Sequence, residues 1–261
     1  MTIKSIFKIS AGISFIFLSL LMVTGWGLGG GYIPSDSEAF SSILYLRNMG
    51  GVGQMIRSLH FYLSSSLIIS GFIFLISFYI LGYVSRFTKQ WYFSLIIYFL
   101  IVGSCFTGYL LPMDQNAFWG TLVRLGIVET IPFFGTFIAN ILRGGLTIGS
   151  ETLSRFFTIH SSIIPIFLSV ISLVLIQSQW ENIKLIVSRA SILYGTILGV
   201  ILLYYWAFSF SAPLELPANP IDVEYIPRPE WYFLWLFEFG KYVEWAPWIR
   251  SALLPLLGTL F

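Results

Sequence analysis

Long apolar stretches are the feature that most constrains how this chain can fold. Six of them reach or approach the roughly 20 apolar residues that a helix needs to cross a bilayer. The chain of 261 residues is 57% hydrophobic and only 10% charged, whereas a soluble domain carries about 25% charged residues. Because so few charges cannot cover a water-exposed surface, the sequence predicts an all-α membrane protein and excludes a soluble globular fold.

The predicted spans form a transmembrane helical bundle. They cover residues 9–28, 55–84, 91–111, 153–177, 190–210 and 246–261. The last span has sixteen residues, which is short for a full crossing. The Pro-rich stretch 211–229 is predicted to be a long loop, because prolines interrupt regular structure. Two further long loops are predicted at 29–54 and 112–152.

The basic residues indicate how the bundle is oriented. Six of the 14 fall on the short connections of one side, where Glu181 is the single acid, and the other side holds eight basic and eleven acidic residues. The six are Lys4, Lys8, Arg86, Lys89, Lys184 and Arg189. By the positive-inside rule, the N-terminus faces the cytoplasm and the long loops lie outside. We expect a multi-pass protein of a bacterial or archaeal cytoplasmic membrane, in contact with lipid and not with nucleic acid, since the cations are scattered.

Both histidines of the chain, His60 and His160, lie inside predicted spans. Each is close to the predicted outer end of its helix, so the two rings are expected at similar depth. A polar ring in hydrocarbon normally faces the bundle interior and has a partner there. Two imidazoles on facing helices are the arrangement that ligates a haem iron axially. The alternative is a pair of histidines that hydrogen-bond to helix backbones.

Arginines and glycines accompany the two histidines. Arg57 lies three residues before the first histidine, and Arg155 lies five residues before the second. Cations at this level could pair with haem propionates. Gly25 and Gly108 are expected at the same depth, where missing side chains leave room for a planar macrocycle. Ordinary packing of small residues between helices is the alternative for the glycines.

Four short motifs occur in a distinctive order along the chain. Residues 56–60 read Ile-Arg-Ser-Leu-His, and residues 108–112 read Gly-Tyr-Leu-Leu-Pro, followed by Phe-Trp-Gly at 118–120. Gly-Gly at 144–145 precedes Thr-Leu-Ser-Arg-Phe-Phe at 152–157, and Pro-Glu-Trp-Tyr stands at 229–232. Over most of its length the chain resembles the cytochrome b subunit of quinol–cytochrome c and quinol–plastocyanin reductases.

The resemblance implies a division of the chain and a quinol site. Residues 1–180 would form a haem-binding four-helix region, and 181–261 a C-terminal region with two further helices. Glu230 would accept a proton from quinol at the outer face, a task suited to a carboxylate. An acid that merely favours the start of a helix is its alternative role. The pocket residues implied by the resemblance are Phe118, Gly120, Pro229 and Tyr232.

The chain departs from the family pattern on the cytoplasmic side. The family has a second histidine on each of the two ligating helices, fourteen or fifteen residues after the first. Here those positions are Phe74 and either Val174 or Leu175, none of which can ligate iron. The family's inner glycines are replaced by Ala11 and Ser94. The resemblance therefore implies one haem b with two histidine ligands, and neither a haem nor a quinone-reduction site in the cytoplasmic half.

The sequence leaves three functions open. The first is an electron-transfer subunit in which a quinol or quinone at the outer face exchanges electrons with one b haem. Its expected redox partner is a c-type cytochrome or an iron–sulfur protein at that face, and a second copy of the chain is a further candidate partner. The second is a haem-containing anchor for peripheral redox subunits, without quinol catalysis of its own. The third is a transporter-like bundle without haem.

Overall fold

The predicted helical membrane bundle is confirmed. A computed structural model describes residues 2–49, 51–186, 189–235 and 238. Within these ranges no strand occurs, and the only extended pairing is an isolated antiparallel bridge between Asp114 and Pro217. The fold is therefore built by helix packing, with one extended segment laid across it.

Ten α-helices follow one another in the described residues. They are α1 (Ile3–Gly29), α2 (Ala39–Asn48), α3 (Val52–Ile80), α4 (Tyr83–Arg86), α5 (Thr88–Gly108), α6 (Gln115–Glu129), α7 (Gly135–Arg143), α8 (Ser150–Thr158), α9 (Ile164–Ile186) and α10 (Arg189–Ser209). A π-helical turn, Ile159–Ile163, joins α8 to α9, and a 3₁₀ turn covers Trp231–Phe233.

The first four predicted spans correspond to helices that can cross a membrane. By length and composition these are α1, α3, α5 and the continuous helix Ser150–Gln177. The fifth predicted span is also helical, as α10. The sixth, 246–261, lies outside the described residues. The predicted outer loops carry the shorter helices α2, α6 and α7.

Local chemistry explains where the helix ends differ from the predicted ones. Helix α1 begins six residues early because the hydroxyl of Thr2 caps it, accepting the amide of Ser5 at 3.3 Å. Helix α3 ends at Ile80 instead of residue 84 because Gly82 adopts a φ of +66°, which the α-helix does not allow. Helix α5 ends three residues early, before Pro112, since the residue preceding a proline is disfavoured in the helical region.

Close backbone contact brings α10 into the bundle. A Cβ on Gly195 would lie 2.9 Å from the carbonyl carbon of Gly12, so only glycine permits this approach of α10 to α1. One turn later, Gly199 faces the ring of Phe17, which is 1% exposed. Helix α10 is therefore packed directly on α1.

Aromatic side chains fill the predicted cytoplasmic end of the bundle. Phe74 stacks on Phe7 with ring centroids 5.1 Å apart, and both rings contact Phe78 edge to face. Phe7 and Phe78 are 2% and 0% exposed. Trp91 and Ala11 pack against the same cluster. The position where the family has an inner histidine is thus part of a dense aromatic core.

The Pro-rich segment 211–229 is held against α3 and α6 by hydrogen bonds. The amide of Ala212 donates to the Ser58 hydroxyl at 3.0 Å. The Asp114 carboxylate caps α6 by accepting the amide of Ala117 at 2.9 Å, and it also accepts the amide of Glu215 at 3.0 Å. The predicted loop is confirmed as irregular structure, and it is fixed across the ends of two helices.

Candidate functional site

The two histidines face each other across the bundle. Their ring centroids are 6.0 Å apart and the ring planes are inclined by 76°. His60 lies on α3, and His160 lies in the π-helical turn. Pro165 accounts for this turn, because it lacks an amide hydrogen and its ring crowds the carbonyl four residues earlier. The amide of Ile164 accordingly donates to the carbonyl of Ile159, five residues back.

Hydrogen bonds to neighbouring helices determine which ring nitrogens are free. His160 Nδ1 lies 2.9 Å from the carbonyl oxygen of Ser104, which can only accept, so Nδ1 carries the proton. His60 Nδ1 lies 2.9 Å from the hydroxyl oxygen of Thr24, whose own hydrogen is donated to the carbonyl of Leu20. Both Nε2 atoms therefore keep a lone pair. Such outer hydrogen bonds fix the tautomer and orientation of metal-ligating histidines.

Each imidazole lies directly against a glycine of a neighbouring helix. A Cβ on Gly108 would be 2.5 Å from Cε1 of His160, and a Cβ on Gly25 would be 3.1 Å from Cε1 of His60. A side chain at either position would collide with the ring that it faces. The predicted glycines are thus next to the predicted histidines, and their small size is needed for the rings to take these positions.

The donor set suits a haem better than a bare metal ion. The ring centroids of His60 and His160 are 6.0 Å apart, and each ring keeps an Nε2 lone pair that could bond to iron. In the described ranges no three metal-ligating side chains come together. Two histidines are fewer ligands than a bare Zn²⁺ site normally has, whereas His60 and His160 would be sufficient to hold a haem.

Arg57, which the sequence suggests as a partner of a haem propionate, makes its hydrogen bonds in this structure to a loop. Its guanidinium is buried and donates to the carbonyls of Ala212 and Pro213, at 2.8 and 2.5 Å. Arg57 therefore anchors the Pro-rich segment to α3. The guanidinium of Arg155 donates to the carbonyl of Ile141, near the end of α7. Both predicted arginines thus bind backbone carbonyls of loops and helix ends.

The segment that carries Glu230 is hydrogen-bonded to the start of α6. The Asn116 side chain donates to the carbonyl of Arg228 at 3.0 Å and accepts the amide of the same residue at 2.7 Å. The hydroxyl of Tyr109 donates to that carbonyl as well, at 3.3 Å. Glu230 then forms the N-cap residue of the 3₁₀ turn, and Pro229 before it is half-buried. Sequence reasoning did not single out Asn116.

Tyr232 packs at the edge of the central apolar cluster of the bundle. Leu59, Ile159 and Cys105 pack against the same cluster. Leu59 and Ile159 directly precede the two histidines in the chain. The last residue of the Pro-Glu-Trp-Tyr motif therefore borders the same apolar cluster as the residues that precede the two histidines.

The two predicted pocket residues on α6 lie in different surroundings. Phe118 is 5% exposed and belongs to the cluster at the predicted outer end, where it contacts Trp119 edge to face. Gly120 faces Tyr109, because a Cβ there would lie 3.0 Å from the tyrosine hydroxyl. Gly120 is thus beside the segment that carries Glu230, whereas Phe118 is part of the outer core.

A buried arginine that the sequence did not reveal completes the site. Arg124 on α6 is 0% exposed, and its guanidinium lies 3.5 Å from the ring centroid of Tyr109 and 5.0 Å from that of Phe233. Within the part of the chain that the structure describes, none of its three side-chain nitrogens has a hydrogen-bond partner. Arg124 follows Gly120 by four residues and so lies on the same face of α6. This spacing from a predicted pocket residue is the one feature of the sequence that could have indicated Arg124.

Burial controls the protonation of the acidic groups here. Burial raises the pKa of the Glu230 carboxyl, and the positive charge of Arg124 offsets part of that rise. Burial likewise raises the pKa of the Tyr232 hydroxyl. Glu230 therefore keeps its proton to a higher pH than an ordinary carboxyl. A carboxyl whose pKa is raised is a better proton acceptor once it is ionised than an ordinary carboxylate.

Comparisons with known proteins show which family the chain belongs to. The cytochrome b/b6/petB family model matches residues 1–179. Cytochrome b6 of Euglena gracilis is 32% identical over 163 residues, covering 62% of this chain and 76% of that protein. The cytochrome bc complex cytochrome b subunit of Chlorobaculum thiosulfatiphilum is 28% identical over 250 residues, covering 88% of this chain. The matched region is 58% of that subunit, so this chain spans little more than half of its length.

A solved structure supports the fold independently. A chain of a hyperthermophilic respiratory Complex III superimposes with a TM-score of 0.74 at 22% identity, over 91% of this chain and 69% of the other. At this identity the likeness concerns the arrangement of helices. Together with a family model that covers well over half of the sequence, it establishes that this chain belongs to the cytochrome b/b6 family.

Proposed function

We propose that this chain is a membrane electron-transfer subunit in which a quinol at the predicted outer face exchanges electrons with a single b haem. Family membership makes it a haem b-containing membrane protein of electron transport. The finer assignment rests on the histidine pair, whose rings are 6.0 Å apart. Its free Nε2 atoms and the adjoining glycines support axial ligation by His60 and His160. When bound there, the haem supplies a one-electron acceptor or donor.

Residues of this chain would hold the haem and would accept the protons that quinol releases. Ser104 and Thr24 hold the Nδ1 protons of the two ligands, so that each ring offers Nε2. Oxidation of a quinol releases protons as well as electrons, and those protons need a local acceptor. Glu230 is suited to this role because burial has raised its pKa. Tyr232 joins the two sites through the apolar cluster that it shares with the residues preceding the histidines.

A single haem is proposed because the opposite end of the bundle is filled. Phe74 stacks within an aromatic core whose central residues, Phe7 and Phe78, are almost completely buried. Val174, at one of the alternative ligand positions on the fourth span, is 44% exposed. We therefore expect electrons to leave by the outer face, toward a c-type cytochrome or iron–sulfur protein. A second copy of the chain is a further proposed partner.

Reduction of the haem by quinol tests the proposed function. We expect a short-chain quinol, added anaerobically to the oxidised purified protein in nanodiscs, to produce the reduced b-haem α-band. The wavelength spectrum before and after addition is the measurement, and dithionite gives the full extent of reduction. A haem that dithionite reduces but quinol does not would contradict quinol exchange and would instead match a haem-containing anchor for peripheral subunits.

A further inference from the structure

The buried guanidinium of Arg124 lacks a counterpart in the described residues. A charged side chain removed from water is very costly unless it is paired or hydrogen-bonded. Arg124 is fully buried, yet its Nε, Nη1 and Nη2 atoms have no hydrogen-bond partner. The hydroxyl of Thr121, one turn earlier on α6, is buried and unpartnered too. Helix α6 thus carries a buried cation and a buried hydroxyl that lack a well-formed hydrogen bond, and the nearest polar group to the cation is the Tyr109 hydroxyl.

The nearest acid does not neutralise this cation directly. In the described ranges the one ion pair with N···O within 4.0 Å joins Arg143 and Glu129. Glu230 is close enough for Arg124 to influence its charge, but it makes no such pair. The charge of Arg124 is therefore available to another negative group.

Aromatic rings surround the guanidinium on several sides. Its central carbon lies 3.5 Å from the ring centroid of Tyr109, 5.0 Å from that of Phe233 and 6.0 Å from that of Phe106. Cation–π contacts of this kind use the flat faces of the rings. The N–H groups of a guanidinium lie in its own plane and point outward as a fork. The Tyr109 hydroxyl interacts with one part of the guanidinium. A guanidinium has five N–H donors, so donors remain for a further acceptor at its edge.

We propose that Arg124 binds the ring oxygen of the quinone-type ligand and selects its anionic, deprotonated form over the neutral form. The inference rests on the proposed function, because it assigns a residue to the same quinol site. A planar ring matches the aromatic walls, and an oxygen acceptor matches the unpartnered donors. A negative charge on that oxygen makes the hydrogen bonds charge-assisted, which are about twice as strong as neutral ones. Arg124 is thus the specificity-determining residue of this pocket.

Two naphthoquinones that differ in charge provide the test. The probes are 2-hydroxy-1,4-naphthoquinone, which is ionised at neutral pH, and uncharged 1,4-naphthoquinone. Binding is measured calorimetrically to the haem-loaded full chain in nanodiscs, for wild type, Arg124→Gln and Arg124→Lys. Arg189→Gln, at the exposed start of α10, changes net charge equally and is the control. The haem spectrum of each variant reports whether the bundle is intact.

The expected result is a selective loss of the anionic probe. We expect Arg124→Gln to weaken binding of the hydroxyquinone about tenfold or more, as for a lost charge-assisted hydrogen bond, and of the neutral quinone by less than about threefold. Arg124→Lys should restore part of the preference because it keeps the charge. Equal weakening of both probes, or a wild type without preference for the anion, would overturn this inference alone. A wild type that binds neither probe would overturn the proposed function and the inference together.

Should Arg124→Gln fail to incorporate haem, the wild type still decides the question. Its affinity ratio between the two probes is measured without any substitution. A ratio of about ten or more in favour of the anion supports the assignment, and a ratio near one overturns it. Arg124→Lys, which preserves the buried charge, then supplies the comparison in an intact bundle.

Discussion

We expect the His160→Ala variant to lose the low-spin b-haem absorbance completely. The ring of His160 faces His60 at a centroid distance of 6.0 Å, and the chain has no third histidine that could replace either one. With one axial ligand removed, the iron loses the bis-histidine field that gives a low-spin spectrum, and the haem loses one of its two protein bonds. The measurement is the absorption spectrum of the purified, reduced variant. His60→Ala should behave in the same way.

Glycine variants on α5 provide a matched control for this result. A Cβ on Gly108 would lie 2.5 Å from the ring of His160, so Gly108→Ala should disturb or abolish the same absorbance. A Cβ on Gly103 would meet only the Cδ1 atom of Ile164, at 4.0 Å. Gly103→Ala on the same helix should therefore leave the spectrum unchanged. An unaltered low-spin spectrum in His160→Ala would remove this histidine from the ligand set.

The second large effect is expected from Glu230→Gln. A general base typically contributes 10²–10⁴-fold to a rate, so we expect quinol-driven haem reduction to slow by about 10²-fold or more. Haem content should stay the same, because Glu230 lies outside the histidine pair. Stopped-flow absorbance at the reduced α-band, with quinol in excess, measures the rate.

The dependence of the haem-reduction rate on pH gives a second test of Glu230 as the proton acceptor. Burial raises the pKa of this carboxyl, so the carboxylate that can accept a proton forms only at higher pH than usual. The wild-type rate should therefore rise with pH through this raised pKa, and the rise should vanish in Glu230→Gln. Glu224→Gln, on the exposed part of the same segment, is the control and should keep the wild-type profile. Equal rates in Glu230→Gln and wild type at every pH would exclude Glu230 as the proton acceptor.

The helices were predictable because apolar length determines them. Four predicted spans coincide with membrane-spanning helices, and their ends differ by a few residues where a cap, a glycine or a proline acts locally. The inward position of the two histidines could also be predicted from the sequence, since a polar ring inside an apolar span needs a partner in the bundle interior. The structure brings His60 and His160 together, as their equal predicted depth required.

The arginines were harder to predict because their partners come from distant parts of the chain. Arg57 was expected to pair with a haem propionate, and its hydrogen bond to a backbone carbonyl 155 residues further along is a contact that no local spacing reveals. Arg124 resembles an ordinary loop cation in the sequence. Its burial arises only when Tyr109 and Phe233, from two other segments, close around it. The periodicity of a sequence shows which residues share one face of a helix. It does not show which loop covers that face in the folded protein.

The haem content of the purified protein tests the central claim most directly. We propose one haem per chain because the two histidines lie together near the predicted outer end and an aromatic core around Phe74 occupies the other end. Pyridine haemochrome absorbance, divided by the protein concentration from amino-acid analysis, measures this ratio. We predict one b haem per chain. Two b haems per chain would contradict the proposed single-haem bundle.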